Sequence, residues 1–122
     1  MPLIERFEDI QGWQEARILT KMVYALTCKD LFGKDFGLKD QIRRASVSVM
    51  ANIAEGFDCD SNVEFARFLG IARRSAVEVQ SLLYAALDVG YVTSEQFKLH
   101  YDQAGKIKGL ISAFKSAMPK KH

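Results

Sequence analysis

Between positions 41 and 57, hydrophobic residues recur with a helical period but fall on two separate stripes. At about 100° per residue, Ile42, Ala45, Val49 and Ile53 share one side of a helix, and Val47, Met50, Ala54 and Phe57 share another, roughly 120° away. Gln41, Arg44, Ser48, Asn52 and Glu55 fill the third side. One apolar stripe serves the core of the chain's own domain. The second asks for a further partner, most simply another copy of the chain. On this expectation Val47, Met50, Ala54 and Phe57, with Phe68 from the next helix, form an oligomer interface.

The remaining pattern is also helical. Both prolines, Pro2 and Pro119, stand at the ends, and glycines punctuate the interior. Helices are predicted over about 9–29, 38–56, 62–89 and 94–118, with a loop over 30–37 and a tail over 119–122. Ser61 with Glu64, and Thr93 with Gln96, have the spacing of capping boxes at the starts of the last two helices. Short connections imply antiparallel neighbours. Antiparallel pairing then sets Leu26, Val23 and Leu19 opposite Ile42, Ala45 and Val49. It sets Ile42, Val49 and Ile53 opposite Ala76, Leu69 and Phe65, and Ala86, Val79, Ala76, Ala72 and Leu69 opposite Phe97, Ala104, Ile107, Ile111 and Phe114. The expected fold class is all-α: an antiparallel up-down four-helix bundle, one domain, assembling into a homo-oligomer.

Several of these positions also carry a family likeness. Leu38, Gln41, Arg44-Ala45, Ser48 and Asn52-Ile53-Ala54-Glu55-Gly56 in the second predicted helix belong to it. So do Glu64-Phe65, Phe68-Leu69, Ile71-Ala72, Ser75 and Glu78 in the third, and Leu87 and Gly90-Tyr91 in the turn after it. Over most of its length the chain resembles the bacterial four-helix-bundle proteins named for intervening sequences of large-subunit ribosomal RNA genes. The resemblance implies an up-down bundle assembled into a ring-like homopentamer in the cytosol. It also implies distant kinship with accessory proteins of diversity-generating retroelements, which bind nucleic acid and a reverse transcriptase. Arg74 stands where the family pattern has a small residue before Ser75.

Composition narrows the picture modestly. With 122 residues, 48% hydrophobic and 26% charged, the chain suits one globular domain with a sizeable core. No basic stretch followed by an apolar one opens it, and no apolar run nears the roughly 18 residues of a membrane span, so a cytoplasmic protein without membrane contact is expected. The net charge is +2, but from position 98 onward lysines face only Asp102. If nucleic acid is a partner, Arg43, Arg67, Arg73, Arg74, Lys106 and Lys108 are the expected phosphate contacts.

Gln41, Arg44, Ser48, Asn52, Glu55, Ser75 and Glu78 form a polar stripe, with an ion pair expected between Arg44 and Glu78. Either the stripe is a structural network fixing helix register and subunit contact, or it lines a ring opening or groove and meets a ligand. Catalytic chemistry has little footing: the histidines are His100 and His122, far from any nucleophile arrangement, so no enzyme activity is expected. No cofactor or metal is expected, since Glu-x-x-His pairs and Cys-x-x-Cys are missing from the sequence. Asp58-Cys59-Asp60-Ser61-Asn62 starts like a calcium loop but has Val63 and Leu69 where Gly and Glu are needed. Cys28 and Cys59 fall at opposite ends of the bundle, too far apart to bond. Trp13, Phe65, Phe68 and Phe114 have core spacing and read as packing groups. The expected function is a non-enzymatic oligomeric scaffold or accessory binding protein, associating with RNA or a nucleoprotein. The alternative is a purely protein-interaction or small-ligand-binding ring with no nucleic-acid role.

Overall fold

The computed structural model describes residues 3–118, and all regular structure among them is helical. A 3-10 turn, Phe7–Asp9, precedes α1 (Gln11–Thr27), α2 (Asp30–Lys34), α3 (Phe36–Phe57), α4 (Asn62–Asp88) and α5 (Ser94–Ala117). The last helix stops at Ala117, one residue before the predicted end, and the predicted tail 119–122 lies outside the described residues.

Local chemistry explains the boundaries. The Asp35 carboxylate accepts the Leu38 amide at 3.1 Å and caps α3. At α5 the capping box is complete: Gln96 N–H donates to Thr93 Oγ1 at 3.1 Å and Thr93 N–H to Gln96 Oε1 at 2.8 Å. At α4 only half of the expected box forms. Ser61 Oγ accepts the Glu64 amide at 3.1 Å, but the Glu64 carboxylate turns outward to Arg67 at 3.2 Å. Gly90, with φ +80°, closes α4: its N–H donates to Leu87 O, and the Tyr91 N–H donates to Ala86 O at 2.9 Å.

Part of the predicted loop over 30–37 is instead helical. Asp30 adopts φ +52°, a left-handed geometry that Asp tolerates better than most residues, and α2 follows. The gain is burial of Phe32, which is 1% exposed and stacks on Tyr91 at 5.3 Å between ring centroids. Tyr91 in turn donates its hydroxyl to Asp35 at 2.9 Å. The glycine-rich spacing suggested a loop because it does not report that Phe32 has a hole to fill.

α1 packs on α3 and α5, α3 packs on α4, and α4 packs on α5, so each long helix has two neighbours. The helical bundle they make is centred on Leu19, Val23, Ile42, Val49, Ile53, Leu69, Val79, Leu83, Ile107 and Ile111, all at most 1% exposed. Fully buried alanines, among them Ala16, Ala72, Ala76 and Ala104, let the backbones approach closely.

Contacts between the helices locate them along one another. Thr20 Oγ1 donates to Ser46 O at 3.1 Å across α1 and α3, and Gln80 Nε2 to Tyr101 O at 3.3 Å across α4 and α5. Between α3 and α4, however, Ser48 meets Ser75 and Gly56 lies under Phe65 and Phe68. That is about one helical turn from the alignment in which Ile53 faces Phe65. Gly56 permits this: lacking a side chain, it lets the end of α3 come up against the Phe65 ring and the Phe68 β-carbon.

Candidate functional site

The polar stripe divides into an inner and an outer part. Ser48 Oγ and Ser75 Oγ are 2.8 Å apart, and Asn52 Nδ2 donates to Ser48 O at 2.8 Å and to Ser48 Oγ at 3.0 Å. Ser75 is only 9% exposed, so this trio is a hydrogen-bonded seam between α3 and α4. Gln41, Arg44, Glu55 and Glu78 are exposed. The expected Arg44–Glu78 ion pair is not among those that the described residues form. An exposed pair is worth about 0–1 kcal/mol at best, too little to offset the freedom of two long hydrated side chains.

The second apolar stripe is not left bare as a face. Met50 is half-buried, its sulfur 3.4 Å from the Thr20 hydroxyl of α1, and Phe57 packs edge-on against Phe65 at 6.0 Å. Ala54, Phe57 and Phe68 border a cavity of about 560 Å³ whose other wall is the N-terminal segment, including Phe7. Val47 is the member that remains 39% exposed. Within the subunit α1 and α4 take up part of this stripe, through Met50 and Phe57.

The cations proposed as phosphate contacts also separate. Arg43 is committed inward: Nε donates to Thr27 Oγ1 at 2.8 Å, and the guanidinium stacks on Tyr24 at 4.3 Å. Arg67 pairs with Glu64, whose carboxyl it holds below its ordinary range through hydrogen bond and charge. Lys106 lies 3.2 Å from the Glu15 carboxylate, which also accepts Gln103 Nε2 at 3.0 Å; the Gln103 bond first, then Lys106, lowers the Glu15 pKa. Arg73, Arg74 and Lys108 have no carboxylate partner among the described residues. Arg73 Nε donates to Ser112 Oγ at 3.0 Å and Lys108 Nζ to Gln80 Oε1 at 3.0 Å, placing both on the α4–α5 seam, whereas Arg74 lies exposed on α4.

The pattern of the 23S rRNA-intervening sequence protein family matches residues 8–113. The chain belongs to this family. No curated protein matches it in sequence. Among solved structures it is similar to a protein of unknown function from the S23 ribosomal protein family of Bacteroides thetaiotaomicron. The identity is 23%, the TM-score is 0.79, and the match covers 87% of this chain and 99% of that one. Likeness at that identity speaks for the fold alone.

All the stripe residues lie inside the span matched by the intervening-sequence family, and the structure gives the motif's parts different work. Ala45, Ile53 and Gly56 are buried packing positions, Ser48 and Asn52 build the inter-helix seam, and Gln41, Arg44 and Glu55 are displayed. Among the described residues no group of three His, Cys, Asp or Glu is placed to hold a metal ion. His100, 6% exposed, meets Gln96 O of its own helix at 2.7 Å and joins α5 to α1 through Met22 O at 3.3 Å. No helix of the described residues is long and apolar enough to cross a membrane. A feature hidden in the sequence pattern is a ring cluster of Tyr84, Phe97 and Tyr101 on the α4–α5 seam, with centroids 4.7 to 5.8 Å apart. Its only sequence signal is the helical spacing of Phe97 and Tyr101, which core residues share.

Proposed function

We propose that this intervening-sequence family member is a non-enzymatic scaffold or accessory binding protein: an antiparallel up-down four-helix bundle, acting as a ring-like homopentamer in the cytoplasm and associating with RNA or a nucleoprotein. The circuit of contacts from α1 to α3, α4, α5 and back to α1 supports the bundle. The observation that carries the assembly is the outer stripe. Arg44 on α3 and Glu78 on α4 are both exposed and form no ion pair among the described residues, beside the exposed Val47. Contact between copies matches Arg44 of one with Glu78 of another and covers Val47, and the ring of five is what the family resemblance implies. RNA as partner draws on the family's association with ribosomal RNA intervening sequences and on the cations Arg73, Arg74 and Lys108, which no carboxylate among the described residues neutralises.

Light scattering and sedimentation at micromolar concentration measure the assembly. A mass of five subunits is expected, and a stable monomer refutes the oligomer. Arg44→Glu or Glu78→Arg alone should dissociate the ring, and the two together should restore it. Protein purified without nuclease should carry nucleic acid that high salt removes. A ring free of nucleic acid even at low salt supports the protein-interaction or small-ligand role instead.

A further inference from the structure

The α4–α5 seam carries an exposed aromatic ring at one end and a row of cations along the rest. We propose that this seam binds single-stranded RNA, with Tyr84 stacking on a base and Lys108, Arg73 and Lys115 holding phosphates along it. The proposal rests on RNA being the partner and assigns where and in what form it is bound.

Tyr84 is 50% exposed, although it sits against two rings, Phe97 at 4.7 Å and Tyr101 at 5.8 Å. The cluster stiffens it while half of the residue stays exposed, and a base-stacking platform needs a held, accessible ring. One turn along α4, Gln80 holds the Lys108 ammonium at 3.0 Å, and two turns further Ser112 holds Arg73 at 3.0 Å. Beyond that the Lys115 ammonium lies over Gly70, 3.9 Å from where a β-carbon would stand. From Tyr84 to Gly70 the seam runs about 21 Å at 1.5 Å per residue, room for a few nucleotides of extended strand. Neutral side chains orient Lys108 and Arg73, so their charge stays available, unlike that of Lys106, which Glu15 neutralises. No carboxylate interrupts the helix rows between these groups. Asp88 lies one turn past Tyr84, and Asp102 is held by Lys98 at 2.8 Å.

A polyanion satisfies the cations, and the exposed ring selects among polyanions. A run of carboxylates offers charge without a stacking partner, and duplex RNA keeps its bases stacked on one another. A single strand offers both.

The test uses the full-length protein and a fluorescent single-stranded oligouridylate of about ten nucleotides, with anisotropy read across a salt series. Tyr84→Leu should weaken binding roughly tenfold, while Tyr84→Phe keeps the ring and the affinity. Arg73→Gln with Lys108→Gln should lower the slope of log affinity against log salt by about 1.4, at about 0.7 per lost phosphate contact. Lys21→Gln, on α1, should change neither. Circular dichroism checks that each variant folds, and if Tyr84→Leu does not, the Arg73 and Lys108 pair decides. Parent-level binding by the folded seam variants overturns the assignment while RNA remains the partner. Equal competition by duplex RNA overturns the single-strand preference. A parent protein that binds no RNA at low salt overturns both the seam and the RNA partner.

Discussion

Replacing Gly56 by alanine tests the packing that sets the α3–α4 register. A β-carbon there would stand 2.7 Å from Phe68 Cβ and 2.8 Å from Phe65 Cδ1. The Phe65 ring can turn aside, but Phe68 Cβ is bonded directly to the backbone, so relief requires α4 itself to move. Overpacking of this kind costs about 1–3 kcal/mol. Against it, alanine is the better helix former by up to about 1 kcal/mol, and by less in the final turn of a helix. The balance is a destabilisation of about 1–2 kcal/mol, about 4–8 °C in Tm for a chain of this size. Thermal and urea unfolding followed by circular dichroism read it directly. Adding Phe65→Leu opens space on one side of the new methyl, so the double variant should lose less than the sum of the two single ones. A Tm at or above the parent's, or strict additivity, refutes the close approach of α3 to the Phe65 and Phe68 side chains.

Glu15→Gln should flatten the acid limb of the stability curve. The Glu15 carboxyl is held below its ordinary value of 4.5, chiefly by Gln103 and then by Lys106. The folded state therefore binds this proton less readily than the unfolded chain. The stabilisation is complete above the ordinary value and is lost as pH falls through the lowered one. Urea unfolding at neutral and acid pH measures the difference between parent and variant, and curves that stay parallel down through the acid range contradict it. Asp35→Ala should remove the α3 cap, at about 1 kcal/mol. It should also lower the Tyr91 phenol, which the Asp35 hydrogen bond raises above its ordinary 10.0. Spectrophotometric tyrosine titration checks the shift, and an unmoved Tyr91 rejects the contact.

Much of this protein is legible in its residues because helices are written locally. Apolar spacing, Ser61, Thr93 and Gly90 mark where helices lie and stop, and the Asn52–Gly56 run marks the family. Each of these is a property of a few consecutive residues. The uses of individual side chains were not legible, since they depend on neighbours distant in sequence. How much of the second stripe of α3 was free depended on α1 meeting Met50 and on Phe65 meeting Phe57. Whether Arg43 and Lys106 were available depended on Thr27, Tyr24 and Glu15. The α3–α4 register turned on Gly56, where a missing side chain rather than a present one sets the depth of contact. Hydrophobic periodicity determines that a face will be buried, because burial rewards any apolar partner. Which partner covers it, and which charges remain outside, is decided only when the helices pack.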